Sequence, residues 1–360
     1  MYSKTAIFYS SKQPFEVVGI EIPFLQDGQI LVRNRYTTLC RSDLTTYLGK
    51  RQEKVPTILG HEIVGDIVAF GPGAPAVDNR GDRLTIGDRI TWAIFASDPS
   101  DALSQEGMPQ KANGLFKYGH ERVTNESTLH GGLSEYIILR KHTPVVKVSR
   151  QMSDPCAAII NCAVATVMGA KRISGGVSHK RVLIAGAGML GCIACAIFKT
   201  KGARSVYVLD KNMKRLNFAE NFGIDGSIQS YLSEDQLIPE SESGRFDLVF
   251  DFTGVPSTIE WIIRRLAIGG TAVLIGSTYP QRAVRLEAEY LVRNLLSITG
   301  LHNYNTEDLI MAVDFMEEYH DCFFFPEMIC GDYTLDRVNE AFAFAIENNQ
   351  FRVGINIKVK

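Results

Sequence analysis

Residues 181–191 read Arg-Val-Leu-Ile-Ala-Gly-Ala-Gly-Met-Leu-Gly, and residues 192–200 continue Cys-Ile-Ala-Cys-Ala-Ile-Phe-Lys-Thr. An apolar run of strand length meets a turn with glycines at 186, 188 and 191, then passes into an apolar stretch of helical length. A second strand-like run, 205–210, ends in Asp210 about 20 residues after the last glycine. Three spaced glycines alone are a weak signal. The strand before them, the helix after them and the acid closing the next strand make this a dinucleotide-binding βαβ unit. Each residue has a task there. Gly186 permits the tight turn, Gly188 lets the backbone approach a pyrophosphate, and Gly191 lets the helix pack on its strand. Met189 and Leu190 open a helix whose free N–H groups and dipole favour the phosphates. Asp210 suits a ribose 2′-hydroxyl and repels a 2′-phosphate, which favours NAD over NADP. Lys211, Lys214 and Arg215 soften that preference, since a nearby cation accommodates the extra phosphate.

Working outward, the same alternation continues. Helical patterns at 213–222 and 256–267 separate strand patterns at 245–252 and 270–277, with a further strand-like run at 295–302. Alternating strands and helices predict right-handed βαβ crossovers and a doubly wound parallel sheet. Upstream, a helix is expected over 155–173. Residues 1–150 instead carry short β-like runs (5–9, 15–22, 29–38, 62–70, 88–95, 133–139) broken by turn residues, the pattern of a mainly antiparallel β domain. Residues 98–133 lack periodicity and read as a long surface excursion. The last 58 or so residues hold two helical patterns and a terminal strand, 353–359, expected to pack back on the N-terminal domain.

Composition narrows the function classes. The 360 residues carry 38 Lys plus Arg against 40 Asp plus Glu, a net charge of −2, and 45% are hydrophobic. There is no global basic field for nucleic acid or anionic lipid, and the make-up is that of an ordinary globular chain. Seven scattered cysteines do not resemble a secreted disulfide framework, so a reducing compartment is expected. No basic head followed by an apolar stretch opens the chain, and the apolar run 192–198 is too short to span a bilayer. The expectation is a cytoplasmic enzyme with no membrane and no nucleic-acid partner.

Three segments hold metal-binding residue types: Leu39-Cys40-Arg41-Ser42-Asp43, Gly60-His61-Glu62-Ile63-Val64-Gly65 and Ile160-Asn161-Cys162. Two thiolates and an imidazole suit zinc and leave a fourth position open, the arrangement of a catalytic rather than a structural site. Taken singly, either cysteine is more often a buried inert thiol.

In this order, and with the glycine fingerprint behind them, these motifs resemble the zinc-dependent medium-chain alcohol dehydrogenases over essentially the whole chain. The resemblance implies a GroES-like catalytic domain, 1–160 with 302–360, interrupted by a Rossmann NAD-binding domain, 161–301, with the active site in the cleft between them. It implies that Cys40, His61 and Cys162 bind the catalytic zinc and that Glu62 is an acid able to approach the metal. Asp43 is expected to orient His61, Ser42 to take the proton of the alcohol, and Arg41 to contact the cofactor pyrophosphate. Polyol-type members often place a glutamate where Asn161 stands, which leaves Cys162 as the ligand. No cysteine lies between Trp92 and Glu135, so one zinc per chain is expected, without a structural one. The resemblance also implies a homo-oligomer, a dimer or tetramer, with 284–298 as the edge that could serve.

Shorter stretches, 107–111, 116–121, 163–168, 276–280 and 301–304, are similar to a subgroup of dehydrogenases associated with phosphonate catabolism. Lys117, His120 and Arg122 could form an anion-binding edge or belong to a solvated lobe. His302 reads equally as structural or as a lining of the nicotinamide end. Cys192 and Cys195 read as helix packing, Cys322 and Cys330 as a core edge, and His130, His142 and His179 as solvated turn residues. The implied function is reversible, zinc-dependent hydride transfer between a small alcohol and NAD, giving an aldehyde or ketone. The alternatives are a cyclitol, polyol or amino-alcohol dehydrogenase, a zinc-free enone reductase of the same superfamily, or a non-catalytic NAD-binding sensor.

Overall fold

The computed structural model describes residues 1–230 and 245–357. They form two compact units, one of Met1–Ala165 with Asn305–Lys360 and one of Thr166–Tyr304.

In the second unit six strands make one sheet: β1 (Arg181–Ala185), β2 (Ser205–Asp210), β3 (Gly226–Gln229), β4 (Phe246–Asp251), β5 (Leu266–Leu274) and β6 (Ser297–Gly300). Their order is β3-β2-β1-β4-β5-β6 and every neighbour is parallel. The order reverses between β1 and β4, and a crevice for a dinucleotide opens at such a switch point. The glycine turn follows β1 directly. The helix behind it, Met189–Thr200, is buried continuously from Gly191 to Phe198. A helix apolar on all sides belongs inside a core. Cys192 and Cys195 lie in that stretch, where burial pushes the Cys192 thiol up to about 12. They are inert packing residues.

Two expectations for this unit need correction. The helix read over 256–267 stops at Ile263, because Leu266 already pairs with Phe246 and opens β5. Strand β3 left no sequence signal: its four residues, Gly-Ser-Ile-Gln, include one buried apolar side chain at a sheet edge.

In the first unit the long strand Ile30–Leu39 is the organiser. It pairs antiparallel with Glu62–Phe70, Tyr136–Leu139 and, from the far end of the chain, Arg352–Asn356. Val353 stands opposite Leu39, which carries the C-terminal segment to the residue before Cys40. The strand expected over 353–359 therefore exists, starting at Arg352; residues 358–359 lie outside the described residues. Helix Val338–Asn348 seals the arrangement through Val338, Ala341, Phe342 and Ala345, packed with Phe8, Phe15, Leu39 and Leu44.

The helix expected over 155–173 is three pieces: Asp154–Ala158, a π-helical turn Ile160–Val164, and Ala165–Ile173. Among the described residues this run, rather than 192–198, is the one long and apolar enough to cross a membrane. However, 72% of it is buried inside the chain, as in a core segment. Residues 98–133 are not merely a surface excursion. Phe116–Lys117 pairs with Phe95–Ala96, and Phe116, Tyr118, His120, Leu129 and His130 are buried. A few aromatic anchors fasten a polar-rich segment that has no periodicity to betray them.

Candidate active site

Leu39 ends the organising strand and Cys40 caps the next helix, Arg41–Tyr47. The Cys40 N–H donates to Asp43 Oδ2 at 2.8 Å, so the acid that begins the helix fixes the cysteine backbone. The other oxygen, Oδ1, lies 3.4 Å from His61 Nδ1 and accepts from the Gly60 N–H at 3.3 Å. Asp43 thus ties the first two motifs together. Ser42 Oγ stands 3.4 Å from His61 Nε2.

Cys162 arrives on the π-helical turn. Such turns are rare and gather at functional sites, because the extra residue redirects the backbone within a helix. The turn is pinned by the fully buried Asn161, whose Nδ2 donates to the carbonyls of His61 (3.0 Å) and Trp92 (2.9 Å). Its Oδ1 accepts from the Ile63 N–H (3.2 Å). Asn161 is therefore a clamp that joins the turn to the His61 strand.

The outcome is that one ligand atom from each of Cys40, His61 and Cys162 lies within 4.8 Å of the others. A tetrahedral zinc with sulfur bonds near 2.3 Å and nitrogen bonds near 2.0 Å sets its donors about 3.5 to 3.8 Å apart. Two sulfurs and an imidazole nitrogen gathered this closely in a buried pocket fit that ion, with one position left over. The two thiols interact directly. Cys40 is held well below its usual range by the bond from Cys162, by Arg352 and by His61, while that bond and burial push Cys162 well up. Burial pulls His61 down, but Asp43 and Cys40 outweigh it and raise its pKa.

Arg352, which the sequence did not flag, completes the surroundings. Its Nε and Nη2 donate to the two oxygens of Glu62 at 2.6 and 2.7 Å, and Nη2 also lies 3.5 Å from Cys40 Sγ. Glu62 accepts from Thr38 Oγ1 as well. Burial raises the Glu62 pKa against the opposing pull of Arg352. The Glu62 carboxylate is engaged by Arg352 and Thr38 rather than standing with the three ligand atoms. Arg41 contacts Asn349 Oδ1 at 3.5 Å, in its own unit.

The polar segment also contributes. The His120 ring lies 5.0 Å from that of His61, and its Nδ1 meets Glu53 Oε1 at 2.9 Å. Glu53 pairs in turn with Arg51 at 2.9 Å. Lys117 is drawn down to about 8 by burial and by Arg51 and Lys111 nearby. His120 and Lys117 are therefore not part of a solvated lobe, whereas Arg122 is exposed. His130 is buried too, contrary to its expected solvation, with its ring edge-on to Phe116. His142 and His179 are exposed as expected, and so is His302.

In the second unit the glycine turn has the geometry its sequence predicts. Gly186 sits at φ +104°, and a Cβ on Gly191 would lie 1.8 Å from the Gly186 carbonyl. A Cβ on Gly188 would meet nothing closer than Arg215 Nη1 at 3.7 Å, so its outer face is open beside a cation. Asp210 Oδ2 accepts from the Ala187 N–H and Oδ1 from the Asn212 N–H, each at 2.8 Å. A carboxylate retains lone pairs beyond those two bonds, available to a ribose hydroxyl.

Comparison with known proteins agrees with this geometry. Residues 26–150 match the alcohol dehydrogenase GroES-like domain and residues 190–318 the zinc-binding dehydrogenase domain. The chain is 28% identical over 299 residues to the acryloyl-coenzyme A reductase of Metallosphaera sedula, covering 82% of this chain and 83% of that one. It is 25% identical over 306 residues to the D-altritol 5-dehydrogenase of Agrobacterium fabrum, covering 83% and 84%. A solved alcohol dehydrogenase of Thermotoga maritima has the same fold, with a TM-score of 0.92 at 24% identity over 99% of this chain and 100% of that one. The reversed parallel sheet, the GroES-like unit and the domain matches on either side of Cys162 lead to one conclusion: the chain belongs to the zinc-type medium-chain alcohol dehydrogenase family and is an NAD(P)-dependent oxidoreductase.

Proposed function

We propose that the protein oxidises a small polar alcohol to an aldehyde or ketone, reversibly, with Cys40, His61 and Cys162 holding one catalytic zinc and NAD as the hydride acceptor. The observation that carries this reading is the convergence of the three ligand atoms within 4.8 Å. When bound, zinc supplies a Lewis acid that polarises the substrate oxygen, and NAD supplies the redox chemistry. The chain's own residues do the rest. Ser42 Oγ takes the hydroxyl proton, and Asp43 keeps the His61 ring oriented through Nδ1. Glu62 and Arg352 neutralise each other beside Cys40, so the buried pocket carries no unpaired charge from either. In the second unit Gly186, Gly188, Met189, Leu190 and Gly191 form the pyrophosphate turn, with Arg215 beside it. Asp210 binds the adenosine ribose and favours NAD.

The cations Arg51 and Lys117, close to the His120 ring that packs beside His61, favour an alcohol bearing a negative group such as a phosphonate over an amino alcohol. The similarity to an acryloyl-coenzyme A reductase keeps enone reduction as the second reading. The assembled ligand trio favours the alcohol. A homo-oligomer built on the free side of β6 fits the exposure of Ile268, Val292 and Leu295 in the same unit (76, 74 and 71%).

The test is zinc content per chain in protein purified without added metal, followed by NADH formation on an alcohol panel that includes hydroxyalkylphosphonates. About one zinc and turnover of an alcohol support the proposal. No zinc in protein never exposed to chelator, with turnover of an enone instead, overturns it.

A further inference from the structure

Away from the thiol–imidazole site, the first unit gathers four guanidinium groups around two carboxylates. Asp66 is within ion-pair distance of Arg33 (3.2 Å), Arg35 (3.0 Å) and Arg150 (3.9 Å). Asp154 is within that distance of Arg35 (2.9 Å) and Arg89 (2.6 Å). The cluster carries two more positive charges than negative ones, in a chain whose net charge is −2.

Arg89 is the unusual member, with a side chain only 3% exposed. Its Nη1 donates to the carbonyls of Ser149 (2.9 Å) and Met152 (2.6 Å). Its Nε has no hydrogen-bond partner among the described residues, and Nη2 faces Asp154 without hydrogen-bond geometry. A buried cation with unmet donors costs stability unless something accepts from them. Arg35 and Arg150, lying close by, add like-charge repulsion that Asp154 and Asp66 oppose.

These groups line an open cleft. A cavity of about 300 Å³ is lined by Arg35, Arg89, Arg150, Gln151, Ser153 and Asp154. Asp154 is the carboxylate among these lining residues, while Asp66, which pairs with Arg35 and Arg150, lines the neighbouring cavity.

We propose that this cavity binds a phosphate-type dianion, either free or as a phosphomonoester. Two negative charges cancel the surplus of the cluster, and several acceptor oxygens match donors held in planar forks. A monocarboxylate would leave half the surplus in place. The anion would bridge the two segments that deliver the thiols. Arg35 lies on the strand that runs into Cys40, and Asp154 heads the helix that runs into the turn bearing Cys162.

The experiment is thermal unfolding and equilibrium titration of the full-length, zinc-loaded protein with inorganic phosphate, glycerol 3-phosphate or chloride at equal ionic strength. It is repeated with Arg150→Gln and Arg33→Gln, each of which removes a half-exposed or exposed side chain. Phosphate is expected to raise the melting temperature of the wild type and of R33Q above the chloride value. In R150Q, losing one charge-assisted contact weakens the affinity about tenfold or more. A matching effect of glycerol 3-phosphate identifies a monoester as the occupant; an effect of inorganic phosphate alone identifies the free anion. No phosphate-specific shift in the wild type, or an undiminished one in R150Q, overturns the proposal.

Discussion

Arg352 Nη2 lies 3.5 Å from Cys40 Sγ while the same guanidinium grips both oxygens of Glu62, and 312 residues of sequence separate it from the cysteine. All three side chains are buried. One buried cation therefore pairs with the carboxylate and also reaches the cysteine sulfur.

Replacing Arg352 with Met leaves Glu62 buried and unpaired. The expected loss is about 3 to 5 kcal/mol of stability. The double variant E62Q/R352M should recover much of it, because no charge is then stranded. Urea midpoints of the single and double variants check this; equal losses would contradict the pairing argument.

The ligand trio and Ser42 are separable. Cys40→Ser or His61→Ala should abolish zinc binding and lower kcat/KM by about a thousandfold or more, with NAD affinity unchanged. Ser42→Ala should keep one zinc per chain and lower kcat by about a hundredfold or more, as expected for loss of a proton acceptor. Metal analysis and NAD fluorescence titration on the same preparations distinguish the two outcomes.

The role proposed for Asp210 is to hold the adenosine ribose through its spare lone pairs. Asp210→Ser should weaken NAD binding about tenfold and narrow or reverse the ratio of NAD to NADP affinity. Both dissociation constants should be measured, since this carboxylate also supports the Ala187 N–H and its loss can weaken the two cofactors together.

His130 governs part of the acid stability. It is 2% exposed, neither ring nitrogen has a hydrogen-bond partner among the described residues, and burial pushes its pKa down to about 4. Below an unfolded value near 6.5 the unfolded chain binds the proton and the folded one resists it. Stability is thus full above about pH 6.5 and falls as the pH drops to about 4, by on the order of 3 kcal/mol. His130→Phe should flatten that limb, which chemical denaturation at pH 7 and pH 4.5 measures directly.

The second unit was legible because each signal is local: 3.6- and 2-residue periodicity, the glycine turn, and Asp210 at the end of its strand. Cys40 and His61 were legible because they stand in two short motifs, Cys40-Arg41-Ser42-Asp43 and Gly60-His61-Glu62, whose order along the chain resembles that of a known family. Arg352 was not, because antiparallel pairing of Val353 with Leu39 is a fact of topology that no window of sequence contains. The break at Ile160–Val164 was hidden inside a run apolar enough to read as one helix, and only the bonds of Asn161 explain it. Residues 98–133 read as surface because their anchors, Phe116, Tyr118 and Leu129, are sparse. Once they are packed, His120 stands beside His61.

The central strand of the first unit also has a consequence for the order of events on the ribosome. Thr166–Tyr304 is one continuous stretch and can close its sheet as soon as it emerges. Ile30–Leu39 is translated long before its partner Arg352–Asn356. Until then Glu62 has no arginine and the edge beside Cys40 is open. Cys40 therefore waits beside an unpaired strand edge until Arg352–Asn356 is added to it.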